Sequence, residues 1–434
     1  MNGGLSMVEM KSGYKMTEVG VIPEDWEVKE FNETFSVIPN NSLSRDYLNA
    51  QAGEYHDIHY GDVLIKYGAL LDAGDTEIPF INKAITDKWV NRRIVTEGDI
   101  IMADTAEDNT VGKCSEVINV NHKKIVSGLH TFWLHPNEGL FEKGFLGYFM
   151  NHSLYHNQLL PLIHGTKVSS VSKNEILGTR VLVPLKNEQT AIATALSDVD
   201  SLISALTKKI EKKKAIKQGL MQQLLTGKKR LPGFCGDWMT YSIEELFELG
   251  NGYTPSKAIS SFWFNGTIPW FRMEDIRLHG RILKDSIQHI TLKAVKGGRL
   301  FPKDSIILST TATIGEHAWL NVDSLANQQF TFLMRKRSCC DTISVKYFFY
   351  YCYILGDWCR ANINEGGLMT VNMEDLRKYN FAIPPTISEQ TAIANILSDC
   401  DSEIAALEEK RDKYKEIKQG MMQQLLTGKI RLIK

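Results

Sequence analysis

The feature that most constrains this chain is that much of it is written twice. Glu188-Gln-Thr-Ala-Ile-Ala, two variable positions and Leu-Ser-Asp-x-Asp-Ser201 recur as Glu389 to Ser402. The match runs without a gap from Glu188–Leu231 onto Glu389–Leu432, with about 31 of 44 positions identical. Both copies close on Met-Gln-Gln-Leu-Leu-Thr-Gly-Lys, at 221–228 and 422–429. Self-similarity at a fixed period means one structural unit used more than once. A weaker echo reaches further back. Asp25-Trp26 with Phe31 and Phe35 resembles Asp237-Trp238 with Ile243 and Phe247, and Thr131-Phe132, Tyr148-Phe149 and Ile176 pair with Thr331-Phe332, Phe348-Phe349 and Leu376. The chain therefore divides into a variable region (1–187), a repeated segment (188–231), a second variable region (232–388) and a second repeated segment (389–434).

The repeated segment has the period of a helix. Ile192, Leu196, Val199, Ile203, Leu206 and Ile210 are spaced 4, 3, 4, 3, 4, and Ile393, Leu397, Cys400, Ile404 and Leu407 keep the same register. Such an a/d stripe is a coiled-coil seam, although a single helix of this kind more often lies in an ordinary core. Two matching helices in one chain favour pairing with each other, antiparallel because a globular region lies between them. The segments stop at Thr226-Gly227 and Thr427-Gly428, where Gly suits a left-handed helix end. Forty-four helical residues would span about 66 Å. Gly219 and Gly420, inside the helices, predict a kink or close packing. The variable regions read as mixed α+β, with buried strands at Asp99–Asp104 and Asp304–Ser309 and helices at Phe145–Leu160 and Tyr347–Leu355.

Charge adds a contrast. Lys+Arg total 50 against Asp+Glu 51, so the chain is no uniformly basic nucleic-acid binder. Yet Lys208–Arg230 holds nine bases (Lys208, Lys209, Lys212, Lys213, Lys214, Lys217, Lys228, Lys229, Arg230) against the one acid Glu211. That run is either a solvated helix face or a surface for a partner or for phosphate. Seven cysteines without C-x-x-C spacing fit a reducing cytoplasm better than a disulfide or zinc framework. The N-terminus lacks the apolar core of a signal peptide, and the most apolar stretch, Tyr347–Leu355, is far shorter than the ~20 residues of a membrane span. A soluble cytoplasmic protein is expected.

Chemistry-bearing motifs are missing. There is no phosphate-binding loop, zinc-protease helix or nucleophile elbow, and Pro384-Pro385 lacks the setting of an amino-methyltransferase loop. Glu27-Val28-Lys29, on a predicted surface strand, is a poor nuclease motif. His56-x-x-His59 and His152-x-x-x-His156 have metal-compatible spacing but no Cys or carboxylate at fixed distance, which favours structural roles. No catalytic and no metal-ligating residue is assigned.

Two variable regions, each followed by Glu-Gln-x-x-Ile-x-x-x-Leu-Ser-Asp-x-Asp and ending in Gln-Gln-Leu-Leu-Thr-Gly-Lys, resemble the specificity subunit (HsdS) family of type I restriction-modification enzymes. The second region adds Asn251-Gly-Tyr-Thr-Pro-Ser256, Trp263, Gly266, Ile268-Pro-Trp-Phe271, Asp275-Ile276, Ser309 to Gly315 and Asn327-Gln328, which are similar to that family's target-recognition pattern. In the first region Ala103-Asp-Thr-Ala-Glu-Asp108 stands where the second has Ser309–Gly315. The resemblance implies two pseudo-symmetric α+β target-recognition domains separated by two long α-helices that pair as an antiparallel coiled coil. It also implies a non-catalytic subunit whose domains each read half of a bipartite double-stranded DNA site. The helices would set the spacing and dock two methyltransferase (HsdM) and two restriction (HsdR) subunits. The subunit would hold no cofactor, its partners using S-adenosylmethionine, ATP and Mg. Helix positions for pairing or docking are Ile192, Leu196, Val199, Ile203, Leu206, Ile393, Leu397, Ile404 and Leu407.

Phosphate contacts need Lys and Arg, whereas base reading needs amides, hydroxyls and Arg at the groove edge. In the second region Thr254, Ser256, Lys257, Arg272, Arg277, Thr311, Thr313, Asn327, Gln328 and Gln329 are the candidates. Asn and Gln can bond adenine N6 and N7 together, but these three could equally cap a buried strand. In the first region the candidates are Lys66, Tyr67, Lys113, His130, Thr166 and Lys167. Two rival readings remain at this level: a coiled-coil scaffold whose variable domains bind protein, and a standalone nuclease.

Overall fold

A computed structural model describes residues 12–85, 93–165, 167–298, 300–364 and 369–432. The chain folds as two compact units, Met1–Thr207 with Glu409–Lys434 and Lys208–Glu408. The cuts fall inside two helices of 39 residues, α1 (Lys186–Leu224) and α2 (Ile387–Leu425). Each unit thus contains one variable region, the first half of the helix that follows it and the second half of the other helix.

The two units share one topology. In the first, a five-stranded sheet runs in the order Phe35–Ile38, Thr131–Pro136, Ile100–Ala103, Cys114–Ile118, Leu70–Asp72. In the second the order is Phe247–Asn251, Phe330–Arg335, Ile306–Ser309, His317–Leu320, Ile282–Leu283. Neighbours are antiparallel except the last pair of each sheet, which is parallel. The central strands Ile100–Ala103 and Ile306–Ser309 are buried at every residue, which is why they read as unbroken apolar runs. A smaller sheet in each unit repeats a parallel pair, Tyr55–Ile58 with Lys124–Ser127 and Ile268–Phe271 with Leu325–Ala326.

The helices pair antiparallel within each unit. In the first, Lys418 bonds Asp200 at 2.7 Å and Arg431 bonds Glu188 at 2.6 Å. In the second, Lys213, Lys214, Lys217 and Arg230 bond Glu403, Glu408, Asp401 and Glu389 at 2.5–2.7 Å. Four of the nine bases in the Lys208–Arg230 run are therefore committed to the acidic face of α2, a third use that the run alone did not suggest.

The apolar stripe also does two jobs. Ile192, Ala193 and Leu196 sit in the domain core with Trp26, Phe31 and Tyr148, and Ile393, Ala394 and Leu397 sit with Phe247, Tyr347 and Phe348. Further along, Leu206, Ile210 and Ile404 are buried and Val199, Ile203, Cys400 and Leu407 half-buried. The helices end at Leu224 and Leu425, earlier than the repeat does, so each spans about 58 Å. Gly227 and Gly428 follow with φ of 70° and 68°. Both helices run unbroken through Gly219 and Gly420, where an added Cβ would meet nothing within 4 Å; close packing is not what those glycines serve.

Near-identity of the repeats has a structural cause, because the same side chains do the same work twice. Glu188 and Glu389 are buried carboxylates. Glu188 accepts from the Trp26 indole (2.8 Å) and the Arg431 guanidinium, and Glu389 from the Arg230 guanidinium. Gln189 donates to Leu140 and Pro184 carbonyls and accepts from Glu142 N–H. Gln390 repeats the pattern with Thr342, Pro384 and Ser344. Tyr148 donates to Asp200 and Tyr350 to Asp401, with Lys418 and Lys217 over the respective rings. By this role Tyr148 matches Tyr350, two residues beyond the Phe348 that sequence alignment paired with it.

One expected helix is broken. Phe145–Leu160 forms Phe145–Met150 and Ser153–Leu159, because Asn151 turns its amide onto the backbone of Cys114 and His152 caps the second piece. Its counterpart Val345–Ala361 is continuous. Glu27–Glu30 is a strand as expected. No helix among the described residues is long and apolar enough to cross a membrane.

Candidate nucleic-acid interface

In the second unit three loops meet beside the central sheet. The turn Asn327–Gln329 joins strands Leu325–Ala326 and Phe330–Arg335, and the Asn327 carboxamide accepts from the Gln329 N–H at 3.2 Å. The Asn327 side-chain carbonyl oxygen is therefore used by the turn. Gln328 is exposed, its carbonyl oxygen accepting from Thr254 Oγ1 at 2.6 Å. Gln329 donates to Thr313 Oγ1 at 2.5 Å. The loop of Thr311 and Thr313 is tied down by Ser309 Oγ, which donates to the Thr311 carbonyl, and by a bridge from Thr311 to Thr370. Four of the ten predicted residues, Thr254, Gln328, Thr313 and Gln329, are thus in direct contact, two by two.

The remaining candidates surround them. Ser256 and Lys257 are exposed on the loop of Thr254, where the Trp263 indole donates to the Ser256 carbonyl. Arg272 precedes the helix Met273–His279; it lies 3.4 Å from Glu274 and 5.7 Å over the Trp270 ring, which holds it against the domain. Arg277 is exposed on that helix and, with Thr313, lines a groove of about 900 Å³. Arg281 and Arg360 line the same groove, the first bonded to Glu316 and the second to Asp357 and the Ile314 carbonyl. Neither was among the predicted residues, for no motif marks them. Beneath it His317 is buried, and desolvation pushes its imidazole down to about 3, so it is neutral.

The first unit builds the same frame with other side chains. Asp104 N–H donates to the His130 carbonyl as Thr310 donates to that of Gln329, both at 3.1 Å. Gly128 N–H donates to Ile58 as Asn327 donates to Phe271, both at 3.0 Å. Gly112 N–H donates to Ala103 as Gly315 donates to Ser309, both at 2.9 Å. Gly128-Leu129-His130 thus occupies the place of Asn327-Gln328-Gln329. The loop from Ala103 to Gly112 is three residues longer than that from Ser309 to Gly315, which is why the two did not align as sequences.

His130 is exposed at φ 53°, with Nδ1 3.3 Å from Asp104 Oδ1. Lys167 is exposed as well, whereas Lys66 Nζ bonds the Glu77 carbonyl and Lys113 Nζ the Leu64 carbonyl, burial lowering the Lys113 pKa. Tyr67 is a core residue, 4% exposed, because it packs with Ile58 and Val63; this side chain is inside rather than on a reading surface. Thr166 lies outside the described residues.

Directly under Gly128 lies an unusual group. A Cβ on Gly128 would meet Asp57 Oδ1 at 2.1 Å, and both Asp57 oxygens are buried without a hydrogen-bond partner, as are Asp62 Oδ2 and the Tyr67 hydroxyl. Burial, then Asp62 alongside, pushes the Asp57 carboxyl up to about 8, with Arg45 opposing.

The histidines with metal-like spacing serve the backbone. His59 and His152 accept from N–H groups at helix starts, His56 bonds the Ile78 carbonyl and His156 the Asn109 carbonyl. Among the described residues no three His, Cys, Asp or Glu side chains gather as a metal would require.

Comparison with known proteins is consistent with this duplicated arrangement. The chain is 46% identical over 174 residues to the Escherichia coli "Type I restriction enzyme EcoprrI specificity subunit", a match that spans 40% of this chain and 43% of that protein. It is 24% identical over 436 residues to the "Putative type I restriction enzyme MjaX specificity subunit" of Methanocaldococcus jannaschii, covering 97% of both. Its fold is similar to the crystal structure of a type I restriction-modification S subunit from M. genitalium, with a TM-score of 0.57 at 13% identity over 92% of this chain and 96% of that one. The family model "Type I restriction modification DNA specificity domain" matches twice, at residues 23–218 and 236–419. These two matches cover most of the chain, and the chain belongs to the family of type I restriction-modification DNA-specificity proteins, with the specificity domain present in two copies.

Proposed function

We propose that the chain is the non-catalytic DNA-reading subunit of a type I restriction-modification complex in the cytoplasm, each unit reading one half of a bipartite site. The observation that carries this is the Thr254–Gln328 and Thr313–Gln329 pairing. The exposed Gln328 amide and the half-buried Gln329 amide, each held by a hydroxyl, are preorganised to bond base edges, and the exposed cations Lys257 and Arg277 nearby suit phosphate. Helices paired antiparallel by ion pairs within each unit suit a spacer between the two half-sites. Their duplicated outer faces suit two methyltransferase subunits and, through them, two restriction subunits, which would bring S-adenosylmethionine, ATP and Mg. The test is Gln328→Ala in the complex: its methylated motif should relax in one half only, whereas an unchanged motif would remove Gln328 from base reading.

A further inference from the structure

We infer that His130 is the base-reading residue of the first unit and that it reads by a different chemistry from the amides of the second. The inference rests on the DNA-specificity reading above. Two backbone hydrogen bonds, each as long as its counterpart, put Gly128–His130 where the second unit has Asn327–Gln329, and a third matches the loop beside them. At Gln328's place stands Leu129, half-buried and apolar, so the exposed polar group of this turn is His130.

Its ring is held on one side. Thr105 Oγ1 donates to Asp104 Oδ1 at 2.7 Å, His130 Nδ1 lies 3.3 Å from the same oxygen, and the Tyr60 ring meets the imidazole edge-on at 5.4 Å. With the Thr105 hydroxyl proton given to Asp104, His130 Nδ1 faces two acceptors, Asp104 Oδ1 and Thr105 Oγ1 at 3.5 Å, which favours the tautomer with the proton on Nδ1 and leaves Nε2 as the acceptor. Nε2 has no partner among the described residues. With the proton on Nδ1, Nε2 accepts from the exocyclic amino group of adenine or cytosine in the major groove, whereas a carboxamide both donates and accepts. Asp104 and Thr105 are then positioning residues for His130.

The experiment uses the intact complex with its methyltransferase in a host free of such methylation, the motif being read by single-molecule sequencing. His130→Ala should lower discrimination at one base position by roughly five- to a hundred-fold, in the half-site that Gln328→Ala leaves intact. His130→Asn, which tolerates the left-handed backbone, keeps the turn and should relax that same position. The inference is overturned if both variants keep the wild-type motif, or if they relax the half altered by Gln328→Ala. It is also overturned if both abolish all methylation while the subunit melts as the wild type does, since His130 would then be needed at every sequence rather than for reading one base. A wild-type complex that methylates no two-part motif would instead sink the DNA-specificity reading, and this inference with it.

Discussion

Asp57→Asn should stabilise the first unit, and by an amount that grows with pH. The Asp57 carboxyl has no hydrogen-bond partner and is raised from 3.8 to about 8 by burial. Between those values the folded chain holds a proton that the unfolded chain has released, so stability is greatest below about pH 4 and is lost as pH rises toward 8. At about 1.4 kcal/mol per pH unit, the three units between 3.8 and 7 amount to roughly 4 kcal/mol at neutral pH. Asparagine carries no such proton. Its amide can also donate, and Asp62 Oδ2 and the Tyr67 hydroxyl are buried without partners. For a unit of this size, roughly 4 kcal/mol corresponds to about 10 °C in Tm. Thermal melts of wild type and Asp57→Asn at pH 5 and pH 8 check this. The variant's advantage should be small at pH 5 and several degrees larger at pH 8; an equal difference at both, or a variant less stable at pH 8, would refute the reasoning.

Other expectations follow from the duplicated latch and the candidate loops. Arg431→Ala leaves Glu188 a buried carboxylate facing only the Trp26 indole, and should cost about 3–5 kcal/mol in denaturant unfolding; Arg230→Ala, which removes the guanidinium from buried Glu389, should destabilise in the same direction. Gln328→Ala should weaken binding to the cognate site by about 1–3 kcal/mol with little change on random DNA, measured by titration with labelled duplexes; equal loss on both would make Gln328 a general contact. Affinity should fall steeply as salt rises from 50 to 200 mM if phosphates are neutralised, and a flat response would favour a protein-binding scaffold instead. Inserting seven residues into both helices should lengthen the spacer of the methylated motif, and an unchanged spacer would contradict a helical ruler.

Much of this organisation was legible in the sequence, for reasons that can be named. The helices were readable because an a/d stripe and a helix-ending Gly are local signals, and the repeat was readable because Glu188, Gln189, Asp200 and Arg230 have counterparts doing identical work in Glu389, Gln390, Asp401 and Arg431. What stayed hidden depends on partners far apart in the chain. Nothing near Ile192 or Leu196 says that they face a domain core while Leu206 continues the stripe. The Lys208–Arg230 run looks like a solvated face until Glu403 and Glu408 are seen against it. Arg281 and Arg360 are far apart in sequence and meet only at the groove. The loop from Ala103 to Gly112 was obscured by its three extra residues, and its kinship with Ser309–Gly315 is carried by backbone hydrogen bonds, which leave no mark on side-chain identity.

The central claim, that two units of one chain each read half of a DNA site, is tested most directly by the methylation pattern of the wild-type complex. In a host otherwise free of it, single-molecule sequencing should find one motif of two short specific halves separated by a fixed unspecified spacer, with Gln328→Ala changing only one half. A single uninterrupted motif, or a Gln328→Ala change spread over both halves, would contradict the account.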